Sequence, residues 1–446
     1  MTSLSSPIVS ILSDALKRDG ALSANDLTIS QKQSLAQVCN DQGADFPWIC
    51  PLTQDELATV IRCAHQHHWR LLICGQGSKL HWGGLSAGVD LGVSTARLNR
   101  IIDHAVGDLT VTVEAGIGFR DLQTQLAASG QWLALDPAYA DQATVGGIVA
   151  TRNAGSLRHR YGGLRDMCLG VSFVRADGQV AKAGGRVVKN VAGYDLMKLL
   201  TGSYGTLGVM SQLTLRLYPL PEDSSTVLLG GTPVAIGQLR QALLSSSLTP
   251  TAVDIVTPSL LASGEVTAEL ALMVRFQGLA ASVQVQCDRI LSLAQSVGVI
   301  ALTPIAPDQP FWDALCARLW PPSPPADTVA CQFGVPAQAA VQVLGQIQQQ
   351  CQQQGVACWG QLHAGSGLGT LRLRAISGVQ ADLIHTLRSQ AQQALGFLTL
   401  LEAPSALKSA VDVWGYTGNA LPLMGQLKSQ FDPQAILNPG RFVGGL

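Results

Sequence analysis

The sequence predicts an α+β protein of more than one domain, and three observations lead there. At 446 residues the chain is too long for one ordinary hydrophobic core. Up to about residue 224, glycine turns punctuate short apolar strands. Beyond that point glycine thins, and helical patterns at 234–246, 280–297, 337–354 and 379–395 alternate with apolar strands at 269–275, 328–335, 369–374 and 397–401. Moderate connections between these elements suit an antiparallel sheet with helices on one face. No internal repeat is visible.

Composition excludes several classes. The chain is 47% hydrophobic and only 13% charged, with a mean hydropathy of +0.24, yet no run approaches the ~20 apolar residues of a membrane helix. Residues 1–20, "MTSLSSPIVSILSDALKRDG", place no cationic segment ahead of their short apolar stretch. That is a poor secretory signal, so a cytoplasmic location without a membrane span is expected. A net charge of −1 gives no basic field for nucleic acid. The ten cysteines contain no C-x-x-C pair, so the expectation is reduced thiols rather than an iron–sulfur cluster held by this chain. Few charges and no span suggest apolar surface covered by a partner or by peripheral association through a complex.

In chain order, residues 1–45 read as a helical preamble. Thr53-Gln54-Asp55-Glu56 is a capping box opening a helix with Leu57, Val60, Ile61 and Ala64 on one face, ending near Trp69. Leu71–Cys74 reads as a buried strand, and "LTVTVEAG" (109–116) alternates like one. Leu122 and Leu126 mark a short helix closed by Gly130. Leu213–Leu217 is a further strand, and "WPPSPPAD" (320–327) is a loop inside the second domain.

The chemistry begins where the first strand ends, in "LLICGQGSKLHWGG" (71–84). A Rossmann turn needs a third glycine opening a helix, but Leu80 stands there; a Walker loop needs Lys-Ser or Lys-Thr, but here Ser78 precedes Lys79. What remains is a strand followed by a non-helical nest of backbone N–H groups. "DPAYADQATVGGIVATRNAG" (136–155) and "GSYGTLGV" (202–209) again expose bare backbone, against which a flat ring can lie. Each stretch alone is also compatible with a tight turn between strands.

"ICGQGSK", "TVGGIVATRNAG", "YGGLRDMCLG", "KNVAGYDLMKLLTGSYGTLGV" and "FDPQAILNPGRF" together resemble the vanillyl-alcohol-oxidase-type (PCMH) FAD-binding family, within it the FAD-binding subunits of glycolate oxidases (glycolate dehydrogenases). The resemblance implies a two-lobed FAD-binding domain at 46–222 after an N-terminal extension at 1–45. It further implies a ferredoxin-like cap at 223–430 and a tail at 431–446 that returns toward the flavin. By motif position, Cys74, Gly75, Gln76, Gly77, Ser78 and Lys79 would cradle the pyrophosphate. Pro137, Thr144, Val145, Gly146, Gly147, Asn153 and Gly155 would line the ribityl chain and the ring. Leu207, Gly208 and Val209 would meet the adenine end, and Asn438 and Arg441 would come back to the flavin. Where some members attach FAD to a histidine this chain has Ser78, so a non-covalent FAD is expected.

Catalytic relatives carry His-x-Gly-Asp-Gly-Asn-x-His and a later Glu-His-Gly. Here "HAGSGLGT" keeps His363 but has Ser366, Leu368 and Thr370 at the other key places, and Glu402 is followed by Ala403. One histidine and one glutamate do not make a metal site, so no metal is expected and His363 and Glu402 are the candidate catalytic pair. The resemblance therefore implies an FAD-bearing subunit of a glycolate (2-hydroxy-acid) dehydrogenase. It would act with a paralogous catalytic flavoprotein subunit and an iron–sulfur subunit. The alternatives are a self-sufficient glycolate or D-lactate dehydrogenase and a non-catalytic structural subunit. Arg152, Arg158, His159, Arg160 and Arg165 form a basic cluster, suited to a carboxylate or reduced flavin on one reading and to a docking surface on another.

Overall fold

The computed structural model describes all residues except 1–6, 18–20, 23–34, 36–37, 39–45, 87, 187–192, 262–267 and 326. Most of the expected N-terminal extension, and Lys189 in the "KNVAGYD" motif, lie outside the described residues. Two compact units are present. One joins Met1–Ala154, Gly163–Leu220 and Tyr416–Leu446; the other joins Gly155–Gly162 and Pro221–Gly415. The chain rejoins the first unit at Tyr416, ahead of residue 431 where the sequence marks a tail.

The first unit has two lobes. In one, α1 (Pro7–Leu16), β1 (Ala21–Leu22), β2 (Trp48–Ile49), α2 (Gln54–His67), β3 (Leu71–Cys74) and β4 (Leu91–Ser94) surround a sheet ordered β1-β2-β4-β3. Strands β2, β4 and β3 run parallel, which buries both faces and explains the continuous apolar run at Leu71–Cys74. Thr53 caps α2 by accepting from Glu56 N–H at 3.1 Å, and Glu56 Oε2 accepts from Leu52 N–H at 2.9 Å. The helix stops where His68 turns left-handed (φ 58°). Its Leu57, Val60, Ile61 and Ala64 bury against Leu71, Leu91 and Val93.

The other lobe is an antiparallel sheet of β5 (Ile101–Ala105), β6 (Thr110–Glu114), β8 (Cys168–Val174), β9 (Val180–Gly184) and β10 (Val209–Arg216), ordered β5-β6-β10-β8-β9. The "TVTVE" alternation buries Val111 and Val113, while Thr112 meets Thr214 Oγ1 at 2.9 Å on the opposite face. Between β6 and β8 come α3 (Phe119–Ala127), β7 (Gln131–Trp132) and α4 (Val145–Thr151). β7 later pairs with β11 (Tyr218–Pro219).

The second unit is built on one eight-stranded antiparallel sheet. Its elements follow the order β12 (Asp223–Gly231), α5 (Pro233–Leu244), β13 (Ala252–Val256), β14 (Leu270–Gly278), α6 (Ala280–Ser296), β15 (Ile300–Ala301). Then, after α7 (Gln309–Leu319), come β16 (Thr328–Gly334), α8 (Ala340–Gln353), β17 (Ala357–His363), β18 (Leu368–Arg374), α9 (Ala381–Gln393), β19 (Phe397–Glu402). Each set is βαββαβ. The sheet order β15-β12-β14-β13-β17-β18-β16-β19 is one such half followed by its mirror-ordered counterpart, joined at β13 and β17. The absence of any visible repeat in the sequence is thus corrected by the structure. The halves share topology, set by period-2 and period-3.6 burial, which many different apolar side chains satisfy.

Alternate residues of every long strand (Val227, Val253, Ile255, Leu272, Val274, Cys331, Phe333, Leu371, Leu400) pack with α5, α6, α8 and α9 into one core. The expectation of helices on a single face is corrected for α7. Trp312 of α7 donates from Nε1 to Thr226 Oγ1 at 2.8 Å and stacks under Arg275, both on the sheet's other face.

Candidate functional site

In the first unit a cleft with about 740 Å³ of empty space, part of it open to solvent, runs between the lobes. Cys74 through Lys79 form one wall, Thr144, Gly146 and Gly147 another, and Gly208, Val209, Asn438 and Arg441 complete it. Of the residues expected from sequence, five lie outside this lining. Val145 is buried behind it, with its N–H given to Ile117 O at 3.0 Å. Asn153 Oδ1 accepts from Ala138 N–H at 2.6 Å, so Asn153 and Pro137 belong to a structural turn. Leu207 is half-buried beside the cleft residues. Gly155 falls in the second unit. Thr95, Ala115 and Tyr204 line the cleft unforeseen, beside Gly205 of the expected 205–209 segment. Tyr204 and Gly205 sit in the quoted "GSYGTLGV", whereas Thr95 carries no sequence signal beyond following a strand.

Local chemistry explains the shape. Gly77 has φ +84°, a conformation glycine adopts without steric cost. A Cβ on Gly75 would lie 2.0 Å from Thr144 Oγ1, so the turn passes against the start of α4 only because it is bare. Among the described residues, the backbone N–H groups of Gln76, Gly77 and Ser78 have no acceptor. Lys79, 7% exposed, adds a cation beside them. Successive unmatched amides at a glycine turn with a nearby cation fit an anionic phosphate group. Small residues elsewhere (Ala115, Gly146, Gly147, Ala150, Gly205) leave room for the rest of an extended dinucleotide.

The tail holds this cleft together. Asn438 Oδ1 accepts from Ile73 N–H at 2.7 Å and its Nδ2 donates to Tyr204 O at 2.6 Å, bridging two walls. Arg441 donates to the carbonyls of Leu80, Trp82 and Gly84. Lys428 Nζ donates to Thr206 O and Leu437 O, both at 2.9 Å, and pairs with Asp432 at 2.7 Å. Leu437 meets Leu71 in an isolated parallel β-bridge. Burial pushes the Cys74 thiol up to about 12, so it lines the cleft as an inert group.

In the second unit the candidate catalytic residues do not share a site. Glu402 Oε2 accepts from Arg372 Nη2 at 2.7 Å, with both side chains almost fully buried. Glu402 lies on β19, three strands across from His363 on β17. The expected catalytic pair is therefore corrected: Glu402 balances a buried arginine. His363 is 8% exposed with both ring nitrogens engaged. Ser366 N–H donates to Nδ1 at 3.1 Å, and Nε2 lies 3.1 Å from His159 Nδ1. Burial, with His159, Arg158 and Arg240 nearby, lowers its pKa to about 3. A histidine so occupied and so weakly basic does not serve as a general base.

Asp254, opposite His363 across β13 and β17, is 1% exposed. Gln361 Nε2 donates to its Oδ2 at 2.9 Å, while Oδ1 has no partner among the described residues. Burial raises its pKa to about 6 against hydrogen bonds from Ser156 and Gln361. The folded chain thus holds this proton more tightly than the unfolded chain, so the contribution of Asp254 to stability declines as pH rises from about 4 to about 6. His363 acts oppositely, costing stability as pH falls from about 6.5 toward 3. Asp254→Asn is expected to raise the second unit's unfolding free energy at pH 8, by up to roughly 2–3 kcal/mol, and to have little effect near pH 4. Urea unfolding of both proteins at the two pH values checks this; equal behaviour at pH 8 would refute it.

Among the described residues, no three His, Cys, Asp or Glu side chains converge as a metal-ligand group, and no helix is long and apolar enough to cross a membrane. A family described as FAD binding domain matches residues 48–184. Over most of its length the chain is similar to glycolate oxidase subunit GlcE of Escherichia coli (strain K12), at 29% identity over 380 residues, 84% of this chain and 93% of that protein. It is 33% identical over 176 residues to the mitochondrial D-lactate dehydrogenase [cytochrome] of Arabidopsis thaliana, 40% of this chain but only 31% of that protein's length. Among solved structures, 4-ethylphenol oxidase from Gulosibacter chungangensis shares the fold, with TM-score 0.72, 15% identity, and coverage of 97% of this chain and 96% of that one.

Proposed function

We propose that this chain is the FAD-binding subunit of a multi-subunit 2-hydroxy-acid (glycolate) dehydrogenase, working in the cytoplasm with a catalytic flavoprotein subunit and an iron–sulfur subunit. The observation that carries the reading is the cleft whose Gln76, Gly77 and Ser78 amides have no acceptor among the described residues, in a chain similar to GlcE over 84% of its length. When bound, FAD supplies an acceptor for the two electrons released as a hydroxy acid becomes a keto acid. The chain's own residues do the holding. The 75–79 turn takes the pyrophosphate through N–H groups and Lys79. Thr144 to Gly147 admit the flat ring, and Asn438 and Arg441 fix the spacing of the walls. Ser78 offers no imidazole for a covalent link, so the cofactor is dissociable.

The partner requirement is supported by the second unit. Neither Glu402, in its ion pair, nor His363, with both nitrogens engaged, is available to take a substrate proton. Purified chain is expected to be yellow and to keep its flavin oxidised when mixed anaerobically with glycolate or D-lactate. Bleaching is expected only when the catalytic partner is added. Bleaching by either acid without a partner would overturn this in favour of a self-sufficient dehydrogenase; a colourless chain indifferent to added FAD would favour a structural subunit.

A further inference from the structure

We propose that His159, in the second unit, presents its Nε2–H as a hydrogen-bond donor to an oxygen of a small carboxylate ligand, and that His363 and Ser366 are positioning residues that fix this tautomer. The argument starts from the one donor whose identity cannot change, a backbone amide. Ser366 N–H points at His363 Nδ1 at 3.1 Å, and Ser366 Oγ lies 2.6 Å from the same nitrogen. His363 Nδ1 is therefore an acceptor, and the proton of the neutral ring sits on Nε2. That Nε2–H donates to His159 Nδ1 at 3.1 Å. His159 in turn carries its proton on Nε2, which has no partner among the described residues. The rings meet edge to face, with centroids 5.2 Å apart.

Three further features select the ligand. His159 is only partly buried and belongs to a four-residue helical turn, Arg158–Tyr161, whose flanking Arg158 and Arg160 are cationic. Burial and Arg160 lower the pKa of His159, so near neutral pH it stays a neutral donor. Gly365 lies against both rings, with a Cβ there 3.2 Å from His159 Nδ1 and 3.3 Å from His363 Cε1, so the pair is seated without slack. A neutral N–H with the Arg160 guanidinium nearby fits an anionic oxygen acceptor and offers nothing to a cation. The negative group on this face, Asp254, is occupied through Oδ2 by Gln361 and tied to Ser156 of the same segment.

This rests on the proposed function only for the choice of a carboxylate, and its test is separable. The full chain, saturated with FAD and labelled with ¹⁵N-histidine, is titrated with oxalate, which has no oxidisable C–H. His159 is expected to be neutral and protonated at Nε2 at pH 7, with its Nε2 resonance moving saturably on oxalate addition. His159→Gln, which keeps an N–H at nearly the same place, should retain binding; His159→Phe should weaken it about tenfold. His363→Ala should release the tautomer, and His363→Gln should restore it, whereas a role in packing alone would leave the tautomer unmoved. An Nδ1-protonated or charged His159, an oxalate-insensitive resonance, or an equal response to chloride overturns the proposal. A yellow sample deaf to oxalate sinks this inference alone; a colourless one that binds oxalate sinks the flavin reading alone.

Discussion

Gly77→Val is expected to strip the chain of flavin, lowering FAD affinity by roughly 100-fold or more. Two costs add. Gly77 sits at φ +84°, where a β-branched residue is strained by a few kcal/mol. The strained turn can relax only by rotating the Gln76, Gly77 and Ser78 amides away from one another, which dismantles the concavity that would hold a pyrophosphate. Gly107→Ala, at a position where a Cβ meets nothing within 4 Å, serves as the control and should keep full colour. The measurement is flavin absorbance per chain after purification, followed by titration with FAD. Normal binding by Gly77→Val would mean the phosphate lies elsewhere.

Glu402→Ala is expected to destabilise the second unit by about 3–5 kcal/mol, because it strands Arg372 as a buried, uncompensated cation. Arg372 also donates from Nε to Leu319 O and lies 5.7 Å from the Trp320 ring centroid, so it cannot swing to solvent without unpacking that corner. In calorimetry the loss corresponds to a drop of about 10 °C in the unit's melting temperature. Arg372→Met combined with Glu402→Leu should recover most of it, since removing both charges leaves no orphan. If Glu402→Gln slowed turnover of the assembled complex while stability stayed intact, Glu402 would be catalytic and the ion-pair account wrong.

These two residues show what a sequence can and cannot tell. Gly77 was legible because the backbone conformation it allows is written in its residue type, and because the familiar phosphate loops fail at Leu80 and Lys79. The capping box at Thr53 and the strand at Leu71–Cys74 were legible for the same local reason. Glu402 was not: its partner is 30 residues away, and nothing near "LEAPSA" distinguishes a carboxylate that meets a ligand from one that meets Arg372. Asp254 is hidden more deeply, inside the otherwise apolar "AVDIV" of β13. Its neighbours Ser156 and Gln361 come from segments separated by 205 residues. The places of Asn438 and Arg441 beside the cleft were reached only through family resemblance, because a contact spanning 365 residues leaves no local trace. The doubled βαββαβ plan was invisible because topology constrains burial period, not identity.

The tail's attachment beside β3 imposes an order on biosynthesis. Strand β3 leaves the ribosome long before Leu437 and Asn438 exist, and the whole second unit is translated in between. Until those late residues arrive, Ile73 and Tyr204 lack the side chain that spans them. The cleft walls therefore gain their Asn438 bridge only after the whole second unit has been translated.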